Sequence, residues 1–110
     1  MRKLEVKMIK LIKGQKAGSC GENTFVDIVP VAGAMGDDIE KYCAEVILHC
    51  TIIARLFICK HSGNVLSYSF DHGGCCTNTT KSRMNALASA FGLDNVTQKA
   101  GVWWHKGKRF

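Results

Sequence analysis

The sequence predicts an α+β fold: a small antiparallel sheet packed by one central helix, with a short helix at the N terminus. Two observations support this prediction. Several short β-branched and apolar runs are separated by turn residues, which is typical of antiparallel strands with short connections. One later segment instead repeats apolar residues at helical spacing, directly after a cluster of capping residues. With 110 residues, the chain is expected to form a single domain, residues 1–110, around one modest core.

The central helix is predicted within the segment from Gly73 to Phe91. Its start is marked by residue types that accept hydrogen bonds from the first helical N–H groups: Thr77, Asn78 and Thr79. One face then carries apolar residues at helical spacing: Met84, Leu87, Ala88 and Phe91. We expect Leu87 and Phe91 to face the sheet, with the Phe91 ring buried. Gly92 is expected to close the helix in the left-handed conformation, and Leu93 to cover its end.

The other elements follow from periodicity and turn signals. Apolar residues at helical spacing favour a helix within residues 2–13, although alternation there would also suit a strand. Strands are predicted at 24–31, on both sides of a bulge or tight turn at 49–51 within the apolar run 44–60, and at 65–70, 95–98 and 102–105. The connecting segments are a loop at 14–23, a connection at 32–43 with a helical turn near Asp37, and a frayed tail at 106–110.

The chain is basic, and this indicates an acidic partner. Fifteen Lys and Arg residues against nine Asp and Glu give a formal charge of +6. Nucleic acid or an acidic protein surface would suit this charge, whereas the alternative is a solvated surface that keeps a small protein soluble. The first sixteen residues are too rich in lysine for a signal peptide, and no apolar run is long enough to cross a bilayer. We therefore expect a cytoplasmic protein without a membrane partner, whose six cysteines are free thiols.

Several residues together resemble a group of small proteins encoded by tailed bacteriophages, which usually carry no assigned activity. The resemblance includes Asn23-Thr24 before a strand, the run from Thr79 to Ala86, and Gln98-Lys99 followed by Trp103. It spans Gly18 to Trp104 and is most specific at the Thr-Thr-Lys-x-Arg-x-Asn run. Departures from the group's pattern are Cys75-Cys76 after the glycines and an extra segment around 37–44. The resemblance implies a phage accessory protein in the cytoplasm of the bacterial host, and it supplies no catalytic residue.

Two surfaces are candidates for binding an anion or a partner. The start of the central helix combines free N–H groups with hydroxyl and cationic side chains: Thr79, Thr80, Lys81 and Arg83. The alternative there is that the threonines only cap the helix, while Lys81 and Arg83 are solvated. Near the C terminus, strand alternation sends one ring of Trp103-Trp104 to each face, so that an exposed Trp104 beside Lys106 could stack on a base or anchor a protein. Asn85 is expected to bond back to the glycine turn.

Metal binding and thiol catalysis are weaker alternatives. Soft donors are frequent between residues 49 and 76, but their spacing contains no Cys-x-x-Cys pair, so no cofactor is predicted: His49, Cys50, Cys59, His61, His72, Cys75 and Cys76. Cys75 and Cys76 precede a helix start, which lowers a thiol pKa, but nothing in the sequence supplies an oxyanion hole.

The sequence therefore predicts a non-enzymatic phage accessory protein that binds and modulates a bacterial host protein or nucleoprotein complex. The phage context suggests an anti-defence inhibitor of the anti-CRISPR kind. The alternative is a nucleic-acid-binding module that uses the basic and aromatic surface.

The assignment of the cysteines to a reducing compartment can be tested directly. Without reductant, all six cysteines should react with a thiol reagent after unfolding, and chelators should leave the melting temperature unchanged. Thiol counting by mass spectrometry and metal analysis of the purified protein provide the measurement. Stoichiometric zinc, or fewer than six reactive thiols, would contradict the prediction.

Overall fold

The computed structural model describes residues 2–31, 41–73, 77–99 and 102–109. Its helices are α1 (Lys3–Lys13) and α2 (Asn78–Phe91). Its strands, in chain order, are β1 (Gly18–Gly21), β2 (Thr24–Pro30), β3 (Lys41–Leu48), β4 (Thr51–Cys59), β5 (Val65–Phe70), β6 (Val96–Lys99), β7 (Val102–His105) and β8 (Lys108–Arg109). The predicted α+β class, the short N-terminal helix and the central helix are confirmed. The helical turn predicted near Asp37 lies outside the described residues.

The first five strands form one antiparallel sheet in chain order, β1 to β5. Two of its connections are two-residue turns in which both residues have positive φ. These are Glu22 and Asn23 at 49° and 59°, and His49 and Cys50 at 50° and 66°. Consecutive left-handed residues match the twist of the flanking strands, so this turn type closes hairpins without splaying them. The tight turn predicted at 49–51 is therefore confirmed.

A bulge lies close to the same turn. Val46 pairs with Ala54 and Ile47 with Ile52, so Ile53 is an extra residue on β4. Ile53 is fully buried, which shows that the extra residue contributes a side chain to the core instead of disturbing it.

One face of this sheet forms the core together with both helices. Strand pairing aligns Val26, Val46 and Ala54 in a row across β2, β3 and β4, and all three are buried. The helices add fully buried side chains to the same cluster: Met8 and Ile12 from α1, Met84 and Leu87 from α2. The buried Tyr42 hydroxyl donates a hydrogen bond to the Ile12 carbonyl oxygen at 2.9 Å. This bond ties the end of α1 to β3.

The end of α2 has the predicted geometry. Gly92 is left-handed, with φ of 69°, and the Leu93 N–H donates to the Ala88 carbonyl oxygen at 2.8 Å. Leu93 packs against the core, as expected of a residue that covers a helix end.

Three segments differ from the prediction. Residues 18–21, expected in a loop, form β1 because the two-residue turn brings them into register with β2. Residues 41–43, expected in a connection, begin β3. The last two predicted strands, β6 and β7, do not join the main sheet. They form a separate three-stranded sheet with β8, which lies in the tail that was expected to be frayed. Two of these differences arise at hairpins: β1 pairs with β2 across a two-residue turn, and β6, β7 and β8 pair in sequence order.

Phe91 is only half-buried, and the Lys13 Nζ atom lies 5.6 Å from the centroid of its ring. Leu87 is fully buried and is the better probe of helix packing.

We expect Leu87→Ala to lower the free energy of unfolding by about 2–5 kcal/mol, because it removes buried methyl groups and leaves a cavity. Phe91→Ala should cost less than complete burial of the ring would imply. Denaturant unfolding measures both, with Ser89→Ala at an exposed position of α2 as the control. A Leu87→Ala protein as stable as that control would contradict the packing of α2.

Candidate functional site

The start of α2 is a capped helix terminus. Thr77 is the N-cap, and its hydroxyl oxygen accepts a hydrogen bond from the Thr80 N–H at 3.2 Å. The Thr77 and Thr80 hydroxyl oxygens lie 3.0 Å apart, within hydrogen-bond distance. Thr80 is fully buried, while Thr79 and Lys81 are half-buried. The Thr80 hydroxyl therefore belongs to the cap and does not face a ligand.

The prediction that Arg83 is solvated, or forms part of an exposed anion site, is wrong. Its side chain is fully buried, and Nη1 donates to Glu5 Oε2 at 2.7 Å. Nη2 donates to the exposed carboxylate of Glu22 at 3.3 Å, and Nε to the Thr24 hydroxyl oxygen at 3.4 Å. A buried guanidinium needs compensating acceptors, and α1 together with the β1–β2 turn supplies them. Arg83 thus connects three parts of the fold.

Glu5 is the other buried member of this cluster, with 3% of its surface exposed. Its Oε2 atom also accepts a hydrogen bond from the Ser82 hydroxyl at 2.6 Å, and its Oε1 from the Arg2 N–H at 3.3 Å. Burial by itself raises the pKa of this carboxyl. The hydrogen bonds from Ser82, Arg83 and Arg2, with the charge of Arg83, outweigh burial and hold the pKa below its ordinary value. The cluster therefore holds a carboxylate at neutral pH.

The sequence predicted a bond from Asn85 to the glycine turn, but its amide bonds to the backbone of Val96 instead. Its side-chain Nδ2 donates to the Val96 carbonyl oxygen at 3.1 Å, and its Oδ1 accepts from the Val96 N–H at 2.7 Å. Both polar groups of the amide are used by the backbone at the start of β6. This pair of hydrogen bonds attaches the three-stranded sheet to α2.

The two tryptophans separate as predicted. Trp103 has 2% of its surface exposed and lies in the core, where its ring meets that of His72 edge-on with centroids 5.7 Å apart. Trp104 has 37% exposed and faces the other side of β7, opposite Thr97 of β6. A large aromatic ring therefore reaches solvent from a strand that is anchored by its neighbour.

Lys106 lies in the turn after β7 and is exposed. Its Nζ atom is 4.6 Å from the centroid of the Tyr68 ring, a cation–π distance. Tyr68 also lies within hydrogen-bond distance of His105, its hydroxyl 3.0 Å from Nε2. Burial, and then the charge of Lys106, lower the pKa of His105 against the opposing effect of Asp94. The Lys106 ammonium group is thus directed toward β5.

The six predicted site residues therefore do not form one site. Thr80 and Arg83 are structural and buried, and Thr79 and Lys81 flank the helix cap. Trp104 and Lys106 remain on the three-stranded sheet. The anion site predicted at the helix start thus loses two of its four side chains.

Sequence reasoning missed the partners of Arg83. Glu5 could have been found, because it lies on the apolar face of α1 at helical spacing from Met8, Ile9 and Ile12. An acidic residue on a buried face can stay charged only with a buried cation beside it, so its presence there indicates such a partner. No comparable signal marks Ser82, which is polar in a polar segment.

The described residues hold no group of three or more His, Cys, Asp or Glu side chains arranged to bind a metal ion. The cysteines among them are free thiols: Cys20, Cys43, Cys50 and Cys59. The Ser62 hydroxyl, with the backbone N–H groups of Ser62 and His61, lowers the pKa of Cys59. The cysteines proposed for thiol chemistry, Cys75 and Cys76, lie outside the described residues. In the described part of the chain, no helix is long and apolar enough to span a membrane.

These features define a small α+β protein with a five-stranded sheet, a second three-stranded sheet and exposed basic and aromatic side chains. A family model described as Kyanoviridae Gp96 protein matches residues 1–110. The chain belongs to this family, which supports the resemblance to tailed-phage proteins at the level of phage origin. No curated protein and no solved structure matches the chain.

The buried pair of Glu5 and Arg83 generates a stability prediction. We expect Glu5→Ala to lower the free energy of unfolding by about 3–5 kcal/mol at pH 7, because it leaves the Arg83 guanidinium buried without its main partner. The matched control is Glu45→Ala. It removes the carboxylate whose Oε2 atom lies 3.0 Å from Nε of the exposed Arg55. That pair should contribute at most about 1 kcal/mol. Denaturant unfolding of both variants provides the measurement.

The pH dependence has a defined sign. The pKa of Glu5 is lower in the folded protein than its ordinary value of 4.5, so its contribution is fully present above about pH 4.5. It is lost as the pH falls through the lowered pKa of the folded state. The stability difference between wild type and Glu5→Gln should therefore shrink at low pH. A difference that is constant with pH, or equal costs for Glu5→Ala and Glu45→Ala, would contradict the buried-pair interpretation.

Proposed function

We propose that this chain is a non-enzymatic phage accessory protein that binds and modulates a bacterial host protein, alone or within a nucleoprotein complex. It would act in the cytoplasm of the host. Membership of the Kyanoviridae Gp96 family supports the phage origin.

The observation that carries the proposal is the exposure of Trp104. Tryptophan is among the residue types most enriched at the energetic centres of protein interfaces, where a large rigid ring fills a pocket of the partner. Here 37% of the residue is exposed. The exposed part of the ring is thus available to a partner.

The surroundings of Trp104 suit an anchor. Trp103 is buried directly before it, and Asn85 fixes the start of the neighbouring strand β6 through two backbone hydrogen bonds. The ring is therefore presented from a fixed backbone, so that binding immobilises few additional bonds. Lys106 follows in the turn after β7, where its ammonium group lies over the Tyr68 ring of β5.

Phage origin directs the proposal to a class of target. Host defence complexes are proteins or nucleoproteins that a phage gains from blocking, and a small binding protein can block them by occupying a surface. The proposed activity is therefore anti-defence inhibition of the anti-CRISPR kind. This step rests on analogy with phage biology and not on a residue of the site.

The experiment is affinity capture from a lysate of the bacterial host, with and without nuclease. We expect a specific host protein to be captured, to resist nuclease treatment, and to be lost with Trp104→Ala, because truncation removes the anchor. A loss of affinity of at least about tenfold, or 1.4 kcal/mol, is expected once the target is purified. The matched control is Leu66→Ala, which truncates another exposed apolar residue, 46% exposed, on β5.

Melting temperatures of both variants confirm that the fold is intact. If Trp104→Ala captures the target as well as wild type does, the proposed anchor is wrong. For the anti-defence step, plating efficiency is measured on a host with an active defence system. Wild type should raise phage plating and Trp104→Ala should not. Capture of a target without any change in plating would remove the anti-defence assignment and keep the binding function.

A further inference from the structure

The outward face of α1 carries an unusual concentration of positive charge. Lys3, Lys7 and Lys10 lie on one side of the helix because they are four and three residues apart, and Lys13 flanks them. All four lysines are exposed, and so is Arg2 at the N-cap. We call the four lysines Lys3, Lys7, Lys10 and Lys13 the lysine face.

Little negative charge opposes the lysine face. Glu5 is the only acidic residue in the first sixteen, and it is buried and paired with Arg83. Glu22 lines a surface cleft of about 440 Å³ together with Arg2, Lys3 and Lys7. Its carboxylate also accepts from Arg83, so its charge is already shared with a cation. The burial of Arg83 therefore leaves the charges of the lysine face largely uncompensated.

The opposite side of α1 fixes this face in place. Met8, Ile9 and Ile12 are buried in the core, and Tyr42 holds the last turn by its bond to the Ile12 carbonyl. Only the aliphatic stems and ammonium groups can therefore move. The lysine charges are held in a line by a rigid element of the fold.

We propose that the lysine face binds the phosphate backbone of duplex nucleic acid without reading its sequence. From Lys3 to Lys13 the helix rises about 15 Å. A duplex presents one phosphate charge per about 1.7 Å of its axis when both strands are counted, so this length spans about nine phosphates. The lysines can contact those on the side of the duplex that faces the helix, and binding releases condensed counterions.

Nucleic acid fits this face better than an acidic protein does. Lysine is depleted at protein interfaces, whose centres are apolar and often aromatic. The lysine face surrounds one exposed apolar residue, Val6, at 40% exposure, and the aromatic ring at its end, Phe91, is half-buried beside the Lys13 ammonium group. Such a surface offers charge without an anchor, which is the pattern of a backbone contact.

This contact is separate from the proposed protein anchor and does not depend on it. Four backbone contacts give weak binding at physiological salt, of the order of 10–100 μM. Such an interaction would hold the protein near a nucleoprotein target, while Trp104 supplies the specific contact. The two can fail independently.

The test is fluorescence anisotropy of the full chain with a labelled mixed-sequence DNA duplex, over salt concentrations from about 50 to about 200 mM. For four contacts, the logarithm of the association constant should fall with the logarithm of salt concentration with a slope of about −3.6. Lys7→Gln with Lys10→Gln should reduce the slope to about −1.8 and weaken binding about tenfold or more at 0.1 M salt. Glutamine has nearly the helix propensity of lysine, so the fold is preserved.

The matched control is Lys41→Gln with Arg55→Gln, which removes the same charge from the side of β3 and β4 that faces away from the helices and should leave the slope unchanged. The proposal is overturned if the duplex does not bind at 50 mM salt, or if both double variants lose affinity equally, since net charge alone would then act. Poly-glutamate that displaces the duplex at equal charge concentration would assign the face to acidic proteins and would also overturn it. Melting temperatures verify that each variant is folded.

Discussion

The buried ion pair between Glu5 and Arg83 is the interaction on which the arrangement of the two helices depends. It connects α1 to α2 in the interior of the protein, and Thr24 and Glu22 extend it to the start of β2. A buried charge is stable only with its partners in place, so α1 must lie where Glu5 can reach Arg83. Because the acid of α1 is used internally, the outer face of that helix is left with lysines alone.

The position of each charge in the fold therefore matters more than the net charge of +6. Arg83 contributes to this total but is fully buried, whereas the lysines of α1 are exposed. The chain is basic, but the start of α2, which the sequence indicates as an anion site, contains the buried Arg83. A buried arginine and an exposed lysine are equal in a charge count and opposite in what they offer a partner.

Local patterns predicted the elements well and their partners poorly. The periodicity of α2, the capping by Thr77 and the closure at Gly92 depend on residues close in sequence, and all three are confirmed. The separation of Trp103 from Trp104 follows from strand alternation and is confirmed in the same way. The burial of Arg83 depends on a residue 78 positions away, which no local pattern reports. The three-stranded sheet is built from consecutive hairpins, and its attachment to α2 through Asn85 and Val96 is the part that no local pattern reports.

Asn85 attaches the three-stranded sheet to α2. Its amide holds the backbone of Val96, and the sheet enters the core through the side chains of Val96 and Trp103. The side of β6 and β7 that bears Thr97 and Trp104 faces solvent. That side can therefore change with less effect on the core than the side that carries Val96 and Trp103. The three-stranded sheet thus separates the residues that hold it in place from the residues that it presents to solvent.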